Sequence, residues 1–209
     1  YGEKQDTEKD TSTDYFSDEN LIALVSNLFV AGTETTASTL RRGILLMMRY
    51  PEDRNQKSLG LDNPRIARRT QMPYTDAVIQ EVQRFANILP AGLPRATTTD
   101  IVLKNCYIPK ATEVIIFLTS VLRDQTQWEI QDIFNPEHCL NSKGKFIKKA
   151  AFMPFSSGRR MCAGESLAKM ELFLFFTSLL QKLTFCHLTP DIGFTTRPTP
   201  HEICAVVRA

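Results

Sequence analysis

The alternation of hydrophobic and polar positions along the chain predicts three main helices. From Ser17 the apolar residues recur at helical spacing up to about Tyr50, where Pro51 ends the pattern. Ser17 has the side chain of an N-cap, and the middle of this segment is apolar on nearly every face. The pattern therefore predicts a helix that crosses the core. Further helices are expected over residues 75–87 and 165–183.

Shorter apolar runs predict a few small strands. Residues 101–103 and 114–116 are rich in β-branched side chains, with Lys104 and Asn105 as turn residues between them. Their pairing partners are not evident from the sequence. The tail from residue 188 predicts two more strands. The fold class is therefore mainly α with small β-sheets.

The remaining segments predict connections. Residues 1–15 are polar and charged, which indicates a linker or disorder ahead of one domain over residues 16–209. Residues 52–72 predict a loop with at most a short helix. A short helix is expected from residue 120 to 123 and beyond, and residues 134–154 are irregular and basic.

Composition and charge narrow the class of function. The chain is 43% hydrophobic and 23% charged, as soluble globular domains are, and a net charge of +2 argues against a nucleic-acid partner. The most apolar stretch, residues 21–30, is interrupted by Ser26 and Asn27, so we expect a buried helix rather than a membrane span. Neither structural zinc nor a disulfide framework is expected from five widely spaced cysteines, Cys106, Cys139, Cys162, Cys186 and Cys204.

Cys162 stands in surroundings that suit a thiolate ligand. It lies between Gly158 and Gly164, where the missing Cβ atoms allow a sharp turn and the close approach of a flat ligand. Arg159, Arg160 and the N-terminus of the following helix supply positive charge, which favours the thiolate over the thiol. A thiolate of this kind suits haem iron. For a lone cysteine the alternative is a small buried hydrophobe.

The same loop carries a wider pattern that includes Phe155. The residues read Phe-x-x-Gly-x-Arg-x-Cys-x-Gly, which resembles the haem-binding signature of the cytochrome P450 superfamily. The resemblance implies that the Cys162 thiolate binds the iron of haem and that Phe155 packs near the sulfur. It also implies that Arg160 pairs with a haem propionate and that Gly158 and Gly164 give the cofactor room.

A second motif, Ala-Gly-Thr-Glu-Thr-Thr over residues 31–36, lies in the middle of the first predicted helix. Gly32 costs about 1 kcal/mol relative to alanine there, and Thr35 can bond back to a carbonyl. On its own the motif favours a packing glycine with back-bonded threonines. Beside the cysteine loop it resembles the family's oxygen-binding helix. That resemblance implies that Glu34 and Thr35 deliver protons to dioxygen and that Ala31 contacts substrate.

A third motif, Glu81 and Arg84, has the spacing of a helical ion pair. Such pairs are commonly exposed and worth a few tenths of a kcal/mol. In this context the pair resembles the family's Glu-x-x-Arg motif, which holds the core together near the haem. The resemblance implies a third partner in His138, where many members have arginine. Cys139 stands where phenylalanine is expected, in a site that we expect to be packed.

Residues 89–95 form an extended, rigid segment because of their two prolines. By resemblance the segment passes over the haem, with Leu89 and Leu93 facing substrate and Arg95 near a propionate. For Arg95 an ordinary loop before a strand is the alternative. Phe194 is a further candidate for the substrate pocket.

The resemblance extends from about Phe16 to the C-terminus and is closest to the vertebrate microsomal group. It implies the C-terminal portion of the cytochrome P450 fold, with a long core helix, the Glu-x-x-Arg helix, the cysteine loop and a final helix. This is less than half of such a domain, and the membrane anchor would precede residue 1. Residues 52–71 and 185–188 look shortened against the family.

Two functions of different class follow from the sequence. The first is a haem–thiolate monooxygenase of the endoplasmic reticulum membrane that inserts one oxygen atom from O2 into a small apolar substrate, such as a xenobiotic, fatty acid or steroid. An NADPH-dependent flavoprotein reductase would supply electrons and dock on a basic face formed by Lys143, Lys145, Lys148, Lys149 and Arg159. The second is a truncated, non-catalytic remnant that does not bind haem productively. A non-haem redox thiol is less favoured, because no resolving cysteine lies near Cys162.

Overall fold

The computed structural model describes residues 16–52, 66–187 and 203–207 of the chain. This part of the chain is mainly helical, which confirms the predicted fold class. The helices are α1 (Asp18–Arg49), α2 (Pro73–Ala86), α3 (Leu118–Leu122) and α4 (Glu165–Lys182). Single 3₁₀ turns cover Ile66–Gln71, Pro136–Cys139 and Gly158–Arg160.

The strands of the described residues form three two-stranded antiparallel sheets. They are β1 (Arg95–Ala96) with β4 (Glu113–Val114), β2 (Ile101–Leu103) with β3 (Cys106–Ile108), and β5 (Leu183–His187) with β6 (Ile203–Val207). Lys104 and Asn105 turn β2 into β3 with φ values of 46° and 66°, as a tight hairpin requires. The pairing partner of β2, which was not evident from the sequence, is therefore β3, the strand directly after this turn.

Other strand predictions need correction. Of the predicted run 114–116, only Val114 pairs, and Ile115 and Ile116 leave the sheet with exposed side chains. In the tail, β6 is one of the two predicted strands, and its partner β5 begins at Leu183, where the predicted helix was to end. The linker predicted over residues 1–15 lies outside the described residues.

The ends of α1 follow the predicted signals. The Ser17 hydroxyl oxygen accepts the N–H of Asn20 at 3.2 Å, and the helix ends at Tyr50, whose N–H donates to the Leu46 carbonyl. Pro51 then prevents the next helical hydrogen bond. Within the described ranges, no helix combines the length and the apolar character that crossing a membrane requires.

The prediction that α1 crosses the core holds only for its C-terminal half. Leu46 and Met47 are buried, whereas Phe29 and Val30 are 71% and 79% exposed. The expectation that residues 21–30 are buried is therefore wrong. A helix buries a face only where another element packs against it, and α2 and α4 meet α1 near its C-terminal end.

α2 is the central element of the core. It begins at Pro73, two residues before the predicted start, because proline at the first helical position loses no hydrogen bond. It ends at Asn87, which adopts a left-handed conformation with φ 39°. Nearly every side chain between these ends is buried. Apolar residues of α1, α2 and α4 form the main cluster, including Leu46, Met47, Val78, Val82, Phe173 and Phe176.

α1 and α4 are in close contact at Gly43. A Cβ atom built on Gly43 would lie 2.8 Å from Cε2 of the buried Phe176 ring and 3.5 Å from Val82. The glycine thus allows the helices to pack without a side chain between them. On the same helix, a Cβ on Gly32 would meet nothing within 4 Å.

These two glycines give a matched test of the packing. We expect Gly43→Ala to lower the free energy of unfolding by about 1–3 kcal/mol, because the Phe176 ring must move in a filled core. Gly32→Ala should raise it by up to about 1 kcal/mol through helix propensity alone. Urea unfolding followed by circular dichroism measures both, and equal effects of the two variants would contradict the described packing.

Candidate functional site

Glu81 and Arg84 form a fully buried ion pair on α2. Arg84 donates from Nε to Glu81 Oε2 at 2.8 Å and from Nη2 to Oε1 at 2.7 Å, and both side chains have no exposed surface. The two parallel hydrogen bonds give this pair the strong, directional geometry of an arginine–carboxylate fork. The alternative of an exposed, weak pair is therefore wrong.

Arg84 also binds the chain that follows α3. Nη1 donates to the carbonyl oxygens of Leu122 and Gln131 at 3.0 and 2.9 Å, and Nη2 donates to Ile133 at 3.2 Å. With the two bonds to Glu81, all five N–H groups of the guanidinium are used. Arg84 thus ties an irregular segment to the core helix through backbone atoms, which residue identity alone does not reveal.

His138 and Trp128 surround this ion pair. His138 Nδ1 lies 3.4 Å from Glu81 Oε1, which brings together the three partners that the resemblance implied. The buried Trp128 ring lies 5.0 Å from the Arg84 guanidinium carbon and 4.8 Å from Lys149 Nζ. Lys149, which the sequence placed on a basic face, instead packs on this ring and donates to a backbone carbonyl. Cations over an indole face are stabilised by its quadrupole.

Cys139 fills the packed position next to His138, as expected. It is fully buried, and Gln80 Nε2 donates to its Sγ at 3.1 Å. Burial, together with the nearby Glu81 carboxylate, raises the pKa of the Cys139 thiol to about 12. The Cys139 thiol is therefore shielded from solvent, whereas the side chains of Cys106 and Cys162 are exposed.

The Cys162 loop is held by its backbone. The Cys162 N–H donates to the Phe155 carbonyl at 3.0 Å, and the Glu165 N–H at the start of α4 approaches the Cys162 carbonyl at 3.4 Å. Gly158 has φ 75°, so the predicted need for glycine is real there, whereas Gly164 has an ordinary φ of −86°. The loop leaves the Cys162 side chain exposed.

Arg95 is joined directly to this loop. Its Nη2 donates to the Arg160 carbonyl at 2.8 Å, a contact between residues 65 positions apart. Arg95 also pairs with Val114 in the sheet formed by β1 and β4, so its backbone is fixed as well. The alternative of an ordinary loop before a strand does not describe Arg95, because Arg95 is itself the first residue of β1. The Arg95 guanidinium therefore lies against the cysteine loop.

A network of charged residues that was not predicted from the sequence contacts the Cys162 loop at Phe155. Lys169 Nζ lies 5.6 Å from the centre of the Phe155 ring and forms an ion pair with Glu165. Arg69 reaches the Lys169 carbonyl and donates from Nε to Asp76 Oδ1 at 2.6 Å. Burial raises the pKa of Asp76, although Arg69 opposes the shift. The spacing of Glu165 and Lys169 could have revealed one pair, but nothing in the sequence signals the other.

The motif on α1 has the predicted back-bonding. Thr35 Oγ1 donates to the Ala31 carbonyl at 2.7 Å, and Ser38 Oγ donates to Glu34 Oε1 at 3.1 Å. Ser38 is a partner of Glu34 that the sequence reading missed, although a separation of four residues on a helix allows it. The space above Gly32 is open, as a groove requires.

The segment 89–95 is not extended throughout, contrary to the prediction, because the Gly92 N–H donates to the Leu89 carbonyl in a turn. Leu89 and Leu93 are exposed. Gly92 has φ 59°, and a Cβ there would lie 3.2 Å from the Ile116 carbonyl oxygen, so the segment packs closely against the chain before α3. Phe194, the remaining candidate for a substrate contact, lies outside the described residues.

These residues fit a flat, anionic ring with a thiolate-bound metal. The Cys162 side chain is exposed, a Cβ at Gly158 would meet nothing within 4 Å, and at Gly164 it would meet only Sγ, at 3.9 Å. Arg95 and Arg160 meet at the same loop and can pair with carboxylates. The donor set matches haem, whose iron accepts an axial cysteine.

Comparison with known proteins points to one family. The profile of the family described as "Cytochrome P450" matches residues 2–204. "Cytochrome P450 2K6" of Danio rerio is 50% identical to the chain, over 99% of the chain and 44% of the relative. "Cytochrome P450 2K1" of Oncorhynchus mykiss and "Cytochrome P450 2D1" of Rattus norvegicus are each 48% identical, over 93% and 92% of the chain and 42% and 41% of the relatives. The chain thus spans less than half the length of these relatives.

Because the ion pair is buried, we expect even a conservative substitution of Arg84 to lower the free energy of unfolding strongly. Arg84→Lys keeps the charge but loses the fork and most of the carbonyl contacts, so we expect the free energy of unfolding to fall by about 3 kcal/mol or more. Arg123→Lys, in the exposed pair with Asp132, is the matched control and should change it by less than about 1 kcal/mol. Urea unfolding measures both, and similar losses would show that burial does not decide the cost.

The cysteines predict a clear order of reactivity in the haem-free chain. With a pKa of about 12, only roughly one Cys139 thiol in ten thousand is ionised at about pH 8. We expect brief treatment with iodoacetamide to label Cys106 and Cys162 while Cys139 stays unmodified until the chain is unfolded in urea. Peptide mass spectrometry measures each position, and labelling of Cys139 in the folded chain at a comparable rate would contradict its burial.

Proposed function

The chain belongs to the cytochrome P450 family, and we propose that it forms the cysteine-bearing part of a haem–thiolate monooxygenase. The enzyme inserts one oxygen atom of O2 into a small apolar organic substrate. The observation that carries the proposal is the exposed Cys162 side chain, on a loop that Arg95 joins through the Arg160 carbonyl.

The haem site uses few side chains of this chain. The Cys162 thiolate would bind the iron, Arg95 and Arg160 would pair with the haem carboxylates, and Phe155 would pack near the sulfur. When bound, haem with a thiolate ligand supplies the activation of dioxygen that oxygen insertion requires. The Phe155 carbonyl keeps the Cys162 backbone in place, so the ligand needs little reorganisation to bind.

Glu34 and Thr35 handle protons in this proposal. The exposed Glu34 carboxylate can take up a proton from solvent, and the Thr35 hydroxyl can hold one at Oγ1. Thr35 now donates to the Ala31 carbonyl, so it must rotate about its χ1 bond to serve a ligand above Gly32. The open space at Gly32 supports such a rotation.

The chemistry of the exposed side chains supports a proposed substrate class and a proposed electron donor. Leu89, Leu93 and Ala31 offer exposed, uncharged contacts, which suit a xenobiotic, a fatty acid or a steroid, and Phe194 is proposed to join them. An NADPH-dependent flavoprotein reductase with an acidic face would dock on the exposed cations Lys143, Lys145, Lys148 and Arg159. We propose the endoplasmic reticulum membrane as the location of the full-length protein.

A second candidate, a remnant that does not bind haem productively, is favoured by one observation. The apolar residues of α1 between positions 22 and 30 are exposed, although large apolar patches on a folded chain usually contact something. A haem bound to this chain alone would meet solvent on that side. The two candidates differ in whether Cys162 ligates iron.

Carbon monoxide difference spectroscopy separates the candidates. We expect the full 209-residue chain, mixed with haem and reduced under carbon monoxide, to give the red-shifted Soret band of thiolate ligation. Cys162→Ala should abolish that band, because it removes the only ligand proposed for the iron. Cys106→Ala, a second exposed cysteine, is the control and should leave the band intact.

The outcomes are distinct. A thiolate-type band that survives Cys162→Ala would contradict the assignment of the ligand. An imidazole-type band, or none, in the unmodified chain would leave family membership intact and favour the remnant.

A further inference from the structure

A part-buried hydrogen bond joins the end of α2 to the start of α3. Asn87 ends α2 in the left-handed conformation, and its side-chain amide donates from Nδ2 to Thr119 Oγ1 at 2.7 Å. Asn87 is only 8% exposed and Thr119 is half-buried, so the bond is shielded from water mainly on the Asn87 side. The contact links two positions that are 32 residues apart.

Thr119 also forms hydrogen bonds with Pro90. Its backbone N–H donates to the Pro90 carbonyl oxygen at 3.2 Å, and its hydroxyl donates to the same oxygen at 3.3 Å. Proline has no N–H, so its carbonyl is the group through which backbone hydrogen bonds can hold it. Hydrogen bonds therefore join Asn87 to Thr119 and Thr119 to Pro90, and the chain from 87 to 90 closes this bridge as its third side.

The bridge controls a short apolar segment. Gly92 donates its N–H to the Leu89 carbonyl at 3.1 Å and packs against the Ile116 carbonyl, so the turn after Pro90 is compact. Leu89 and Leu93 stay exposed on either side of this turn. Movement of Pro90 would therefore carry both leucines with it.

We propose that Asn87 and Thr119 are positioning residues that set where Leu89 and Leu93 stand and so contribute to specificity for apolar ligands. The proposal rests on the proposed function, which assigns both leucines to the substrate. Asn87 and Thr119 act through Pro90 and need not touch the substrate themselves. Displacements of about 1 Å at such a distance from the chemistry are enough to change how a ligand is held.

The first test is local amide hydrogen exchange on the full, haem-free chain. Thr119→Val removes the hydroxyl and keeps the side-chain shape, Thr119→Ser keeps the hydroxyl, and Asn87→Gly removes the amide but accepts the left-handed backbone. We expect peptides spanning residues 88–93 to exchange about three- to tenfold faster in the valine and glycine variants. The serine variant should match the unmodified chain, and peptides of α4 should not change.

The second test uses two ligands on the haem-loaded chain. Imidazole reports access to the iron alone, whereas 4-phenylimidazole also needs apolar space for its phenyl ring. We expect Thr119→Val to weaken 4-phenylimidazole binding by about three- to tenfold in a spectral titration, with imidazole binding unchanged and the serine variant unaffected. A loss of general stability would weaken both ligands alike, so the ratio of their dissociation constants isolates positioning.

Two results would overturn the proposal. One is unchanged exchange of residues 88–93 in both Thr119→Val and Asn87→Gly. The other is faster exchange with an unchanged ratio of the two dissociation constants. Failure of the proposed function would look different, since imidazole would then cause no spectral shift in the unmodified chain. In that case the exchange of residues 88–93 alone decides whether the bridge positions the segment.

Discussion

The buried pair of Glu81 and Arg84 is the interaction on which the rest of the described structure depends. A charged pair without exposed surface is stable only if its remaining hydrogen-bonding groups are also satisfied. Here the carbonyls of Leu122, Gln131 and Ile133 satisfy the arginine, and the Asn135 N–H donates to the carboxylate at 3.0 Å. The pair thereby fixes a long stretch of chain that has little regular secondary structure. The backbone groups that satisfy the charges are therefore also the groups whose positions the ion pair fixes.

A second constraint is that the cysteine loop is held by backbone groups and by residues distant in the sequence. The Phe155 carbonyl holds Cys162, and Arg95 holds the Arg160 carbonyl, so the loop keeps its shape without a covalent link. Lys169 supports the Phe155 ring from α4. Because these contacts use the loop's backbone and one ring face, the Cys162 side chain remains open to a ligand. The loop can therefore be held rigidly while the Cys162 side chain stays accessible.

Local features were predictable from the sequence, and features that depend on packing were not. Ser17 and the turn at Lys104 are determined by hydrogen bonds within a few residues, so their patterns suffice. The spacing of Glu81 and Arg84 is evident in the sequence, but the burial of the ion pair depends on carbonyl groups some 40 to 50 positions later in the chain. The exposure of Phe29 could not be read from an apolar pattern, because the pattern states what a helix could bury and not what covers it. Similarity to a family narrowed the candidate site, since the motifs alone left a packing role open.

Trp128 gives the chain an optical property that follows from this architecture. It is the single tryptophan of the 209 residues, and its ring lies 5.0 Å from the Arg84 guanidinium carbon and 4.8 Å from Lys149 Nζ, with His138 in a T-shaped ring contact. Charges so close to an indole shift the energy and the lifetime of its excited state. The tryptophan fluorescence of the chain therefore arises from one ring beside the central ion pair. The emission wavelength of this ring reports the integrity of that pair without any added dye.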